Sequence, residues 1–286
     1  MEVTEMEFLE VVGTRRSTRW FKTYQPVERE KVQEILEVMR WTTCPGNLQP
    51  WRAVVVWRDE LDPDIREELL QADNWQGAHV QAPVWIYIFA DPEAARPGSF
   101  ATSTQQLIEV GAVPTAYGWS KTRIVDAIER AVETPAGMAA IHELLHDLPH
   151  EASATIAHSE TVGACAVTVL AAVNAGLGTC LHMIARPNKQ ARVKEILGVP
   201  EHWIPVWVQL VGYPAEGVEA GGQRPRQPFE STFFEGNAQT PFRRDPKVVE
   251  KLEREKLLQA PAPLPGRRDE LMFLARMYGY PEDQDD

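Results

Sequence analysis

From Thr161 to Ala185 the chain reads TVGACAVTVLAAVNAGLGTCLHMIA, with no Asp, Glu, Lys or Arg anywhere in it. An uncharged run of that length has two physical outlets: it spans a bilayer, or it is a helix covered by protein on all sides. Ala, Gly and Thr keep its hydrophobicity modest, Asn174 and His182 interrupt it, no aromatic belt flanks it, and glycines break it near Gly176. The run is therefore expected to lie in a core or a subunit interface, with no membrane span. With 286 residues, 44 % of them apolar, the chain can build a core large enough to receive it.

Three shorter apolar runs supply the sheet for that core. AVVVW (53–57), VWIYIFA (84–90) and PVWVQLVGY (205–213) are rich in β-branched and aromatic residues and read as buried strands. The segment 26–41 places Val32, Ile35, Leu36 and Met39 at helical spacing after Pro26, and 104–112, 120–134, 136–148, 155–174 and 188–197 also read as helical. Helices interleaved with widely separated strands predict a sheet covered by helices, of the α/β or α+β class. Most of the nine tryptophans, such as Trp51, Trp57, Trp85 and Trp207, fall on or beside these strands and read as core. The tail differs: a turn-rich basic stretch (212–228) precedes a charged helix, the Pro-rich linker QAPAPLPG and a last short helix. We divide the chain into a body, residues 1–236, with a helical insertion at about 93–160, and a C-terminal extension, residues 237–286. The extension is too poor in apolar surface to fold alone and is expected to lie on the body or on a partner subunit, with the partner favoured.

A formal charge of −12 leaves no basic surplus for neutralising nucleic-acid phosphates. Three scattered cysteines, Cys44, Cys165 and Cys180, without a CxxC pair, argue against a disulfide framework and a zinc ribbon. The acidic start MEVTEMEFLE lacks a signal-peptide layout, so a reducing, cytoplasmic setting is expected.

Chemistry-bearing residues gather in a few places. RRSTRWF (15–21) puts Arg15, Arg16, Ser17 and Arg19 close together, and Arg offers a planar fork of charge-assisted donors suited to a phosphomonoester. Arg224 and Arg226 stand in a second basic turn stiffened by Pro225 and Pro228. TTCPGNLQPW (42–51) is a stiff polar loop immediately before a strand, because Pro45 and Pro50 fix two φ angles while Gly46 permits a tight turn.

RRSTRWF, GNLQPWRAVVV, NAGLGTCLHMIARP and VGYPAE…RPRQPFE, in that order, resemble the FMN-dependent nitroreductase family over most of residues 10–235. The resemblance implies an α+β fold with a mixed β-sheet flanked by helices, an intertwined homodimer, and two FMN sites at the subunit interface. It implies that Arg15 and Arg226, with Arg224 nearby, hold the FMN phosphate, and that Ser17 and Arg19 reach the ribityl chain and the pyrimidine edge, with Arg16 as a helper. Thr43, Cys44, Pro45 and Asn47 of the other subunit would line the isoalloxazine, and backbone at Met183 and Ile184 would approach flavin N5. The implied activity is hydride transfer from NAD(P)H through FMN to a planar acceptor such as a nitroaromatic or quinone, in ping-pong fashion; dehalogenation, alkene reduction, azoline oxidation and flavin breakdown are alternatives on the same fold, and FMN storage without turnover is another. The loop departs from the family's commoner pattern at Thr42, Thr43 and Cys44. Cys44 is either a small polar wall residue or a thiol that takes part in chemistry.

Two features stand outside that pattern. HELLH (His142–His146) matches the HExxH spacing of zinc peptidases, with His150, His158 and Glu160 nearby, but Pro149 and Ala152 break the extended form. The bland reading is an exposed helix in the insertion. Phe100, Tyr117 and Trp119, also in the insertion, are candidates to roof a substrate pocket.

Overall fold

A computed structural model describes residues 7–112, 150–217 and 220–280. Helices α1 (Phe8–Thr14) and α2 (Arg29–Arg40) precede strand β1 (Trp51–Trp57); α3 (Pro63–Ala72) and α4 (Gly77–Gln81) lead to β2 (Val84–Ala90). Then come α5 (Pro97–Glu109), α6 (His150–Asn174), β3 (Gly178–His182), α7 (Pro187–Ile196), β4 (Ile204–Gly212), α8 (Pro246–Arg254) and α9 (Arg267–Tyr278).

A continuous apolar strand must be covered on both faces, and β2 is buried at every one of its positions. It lies inside a sheet of order β1-β2-β4-β3 whose ladders are all antiparallel. An isolated parallel bridge, outside the four strands, joins Ser17 to Thr179 at the edge of β3. One face of β2, Val84, Ile86 and Ile88, packs with Val32, Ile35 and Met39 of α2 and with Ala157, Ala164 and Ala172 of α6. The opposite face, Trp85, Tyr87 and Phe89, meets Leu69 and Leu70 of α3 and Val193 of α7. The fold is thus α+β: one sheet between two helical layers.

The uncharged run resolves into two elements. α6 ends at Asn174, the chain reverses through Gly176 at φ 74°, and GTCLH forms the edge strand β3. The small residues of α6 let it approach the sheet closely. α6 is long and apolar enough to cross a membrane, yet Ala157, Thr161, Ala164, Cys165 and Thr168 are buried against this chain's own core. It is not covered all round by its own chain, however: Val162 and Val167 on its other side are exposed.

Part of the tail lies on the body of its own chain. Residues 230–248 are exposed throughout, but the chain then returns: Gln223 pairs with Ala260 and Ala262, and α9 buries Leu274 and Ala275 against its own body.

Candidate functional site

Arg15 directly follows α1, and the next residues run alongside β3, where the Thr18 N–H donates to the Thr179 carbonyl at 2.9 Å. Gly178 permits this approach, since a Cβ there would meet Thr18 Oγ1 at 2.7 Å. Arg15 thereby arrives beside Cys180, and Arg226 and Arg224 are near enough to act on it electrostatically. Burial, reinforced by Arg226 and Arg224, lowers the affinity of the Arg15 guanidinium for its proton. No carboxylate pairs with these three arginines among the described residues. Arg224 instead donates to the carbonyls of Gly222 at 3.1 Å and Ala220 at 2.9 Å, and Arg226 to those of Arg224 at 3.3 Å and Pro225 at 3.1 Å. Like charges gathered without counter-charge fit an anionic group such as a phosphate.

Of the other arginines in the N-terminal cluster, Arg19 is exposed, donating to the Ser17 carbonyl at 3.3 Å. Arg16 points elsewhere. It is buried and donates to the carbonyls of Gly13 at 2.6 Å, Arg15 at 2.8 Å and Gly222 at 3.0 Å. Its place is that of a tie between two backbone segments, whereas the sequence reading has it as a helper to Ser17 and Arg19.

At the other end of β3, Met183 is exposed and Ile184 is buried, the Ile184 carbonyl accepting from Gln190 Nε2 at 2.6 Å. Directly behind lies a polar cluster that sequence reasoning missed. Asp73 Oδ2 accepts from Nδ1 of both His79, at 2.9 Å, and His182, at 3.0 Å, while Tyr87 Oη stands 3.4 Å from His79 Nε2. Burial alone raises the Asp73 carboxyl, but the hydrogen bonds from His182 and His79 hold it below its ordinary value. Burial lowers His79, so its neutral ring donates Nδ1–H to Asp73. For His182 burial is outweighed by Asp73 and Cys180, which push it up to about 9. A charged imidazolium therefore sits beside the strand end that carries Met183.

The loop of Thr43, Cys44, Pro45 and Asn47 is as stiff as its prolines imply. Asn47 and Gln49 hold left-handed φ values of 55° and 48°, unfavourable for residues with a Cβ. The Gln49 N–H donates to Cys44 Sγ at 3.2 Å, and Ser103 of α5 donates to the Asn47 carbonyl at 2.9 Å. Burial raises Cys44 above the ordinary thiol value. No hydrogen bond among the described residues joins this loop to the arginine cluster of its own chain.

Phe100 falls on α5, whereas Tyr117, Trp119 and the HELLH residues lie outside the described residues. Among the described residues no group of three His, Cys, Asp or Glu side chains is placed to hold a metal ion.

A family model described as "Nitroreductase family" matches residues 12–213. An NADH dehydrogenase from Thermus thermophilus is 32 % identical over 203 residues, 71 % of this chain and 84 % of the relative. An iodotyrosine dehalogenase 1 homolog from Caenorhabditis elegans is 24 % identical over 211 residues, 74 % of this chain and 56 % of the relative. Among solved structures, a candidate nitroreductase from Exiguobacterium sibiricum in complex with FMN superposes with a TM-score of 0.58 at 19 % identity, covering 79 % of this chain and 95 % of that one. The four motifs, the helix-covered sheet and a family match spanning all four strands agree: this chain belongs to the nitroreductase family.

Proposed function

We propose that the chain is an FMN-dependent oxidoreductase that takes hydride from NAD(P)H and delivers it to a planar acceptor such as a nitroaromatic or quinone. The observation that carries this reading is the convergence of Arg15, Arg224 and Arg226 with no carboxylate pairing with them among the described residues. When bound, FMN supplies a carrier that accepts hydride from one substrate and gives it to the next. Arg15, Arg224 and Arg226 hold its phosphate, Ser17 and Arg19 its ribityl chain and pyrimidine edge, and backbone at Met183 and Ile184 faces its ring. Positive charge near the pyrimidine edge favours the reduced, anionic state.

The functional unit in this reading is a cytoplasmic homodimer. The exposed Val162 and Val167 of α6, the exposed arm 230–248 and the three free cysteines support it. The Thr43–Asn47 loop of a second copy closes the flavin slot, consistent with that loop making no hydrogen bond to its own arginine cluster.

An absorption spectrum of freshly purified protein, followed by anaerobic addition of NADH or NADPH, tests the reading. Yellow protein that bleaches and recovers on adding a quinone is expected; colourless protein that binds no added FMN overturns it. Similarity to the iodotyrosine dehalogenase homolog supports a second reading, reductive dehalogenation, and a halogenated phenol in the same acceptor screen separates the two.

A further inference from the structure

The C-terminal segment does more than extend the chain. Glu216 is buried and its Oε1 accepts from the backbone N–H of Arg19 at 2.6 Å and of Trp20 at 3.2 Å. Its Oε2 accepts from Arg267, the first residue of α9, at 2.6 Å, and Arg267 also donates to Glu270 at 2.7 Å. Further along α9, Tyr278 Oη donates to the Phe21 carbonyl at 2.6 Å, and the Trp20 ring packs against Tyr278 and Tyr280 with centroids 5.5 Å and 5.4 Å away. The second basic turn is held from the same side. Leu264 N–H donates to the Gly221 carbonyl at 2.8 Å, and Gln223 pairs with Ala260 and Ala262 at 2.9 Å each, just before Arg224 and Arg226.

α1 is fitted to this tail as well. A Cβ on Gly13 would stand 1.9 Å from the Lys256 carbonyl oxygen, and no flexible side chain is there to yield. Both arginine-bearing segments, from opposite ends of the sequence, are thus fixed against the same stretch, Lys256–Tyr280.

We propose that Lys256–Tyr280 is part of the flavin phosphate site, with Arg267 and Tyr278 as positioning residues that set the geometry of the phosphate arginines Arg15, Arg224 and Arg226. Arg267 acts through Glu216, whose carboxylate would otherwise be left buried beside two backbone donors without its cation. The inference rests on the proposed placement of FMN. It requires that losing the tail contacts harm recognition of the phosphate more than recognition of the ring.

Titration of apo-protein with FMN and, in parallel, with riboflavin, followed by flavin fluorescence, reads that difference. The wild type is expected to bind FMN more tightly than riboflavin. Arg267→Gln is expected to weaken FMN by about tenfold or more while riboflavin stays within about twofold. Arg267→Lys should recover part of the loss. Gly13→Ala should act in the same direction as Arg267→Gln, although Ala favours the α1 helix itself. If Arg267→Gln does not fold, Gly13→Ala and Tyr278→Phe carry the same comparison. FMN affinity retained in the variants, or FMN and riboflavin weakened by one common factor, overturns the inference. A wild type that does not distinguish FMN from riboflavin instead overturns the placement of the phosphate, and the inference with it.

Discussion

His182 Nδ1 stands 3.0 Å from Asp73 Oδ2 across 109 residues of sequence, so the edge strand β3 is pinned to the end of α3 by a charged hydrogen bond. His182 is raised to about 9 from an ordinary 6.5, which means that the folded state holds this proton more tightly than the unfolded chain. The contribution is fully present below about pH 6.5 and disappears as pH rises through about 9. Wild-type Tm should therefore decline over that range more steeply than Tm of His182→Asn, which keeps a donor near the Nδ1 position but cannot titrate. Parallel declines in the two proteins would contradict the assignment.

Arg15 presents the opposite economy. Its guanidinium is half-buried among like charges, so Arg15→Met, which keeps the apolar stem, should leave the Tm of apo-protein unchanged or higher. Added FMN should raise the Tm of the wild type but do so far less in the variant, with affinity lower by about tenfold or more. Thermal melts with and without FMN check both halves at once. A variant whose apo form melts well below wild type would mark Arg15 as a structural residue.

For Cys44 the geometry favours the wall reading. Burial keeps the thiol protonated at neutral pH and the Gln49 N–H already occupies the sulfur, so Cys44→Ser, whose hydroxyl can accept the same bond, should keep activity within about twofold. Asn47→Gly should hold or raise stability by up to about 1 kcal/mol, since it relieves a left-handed φ, while weakening flavin binding. Urea denaturation and flavin titration measure the two effects separately.

The exposed arm makes the proposed dimer testable away from the proposed flavin contacts. Phe233, Phe234 and Phe242 are exposed, and Phe233 and Phe242 pack around Phe229 with centroids 4.8 Å and 6.1 Å away. Phe234→Ser combined with Phe242→Ser should weaken dimerisation by about tenfold or more, read by light scattering across a dilution series. Unchanged dimerisation would remove the arm from the interface.

What was legible in the sequence follows physical lines. β2 was found at its true limits because a doubly covered strand is apolar at consecutive positions, and β4 was found within one residue at each end. β3 was missed: five residues opening on Gly178 and merging into an uncharged helix carry no alternation to read. α3 was missed as well, although Asp62 caps it and Pro63 starts it, because its apolar stripe is weak. Arg15, Arg224 and Arg226 were singled out through a family pattern, and the structure brings them within electrostatic reach of one another. Asp73, His79, Glu216 and Arg267 were not, since each matters through a partner far away in sequence, and Arg16 shows that proximity in sequence does not make a side chain face the same way as its neighbours.

The contacts of Gly13 with Lys256, of Arg16 with Gln259 and of Phe21 with Tyr278 join segments more than 200 residues apart in sequence. A nascent chain emerging from the ribosome cannot make them all until residues 256–278 have been synthesised. Under the proposed reading, loading with the vitamin-derived cofactor waits for that stretch, and a chain cut short before Lys256 stays colourless.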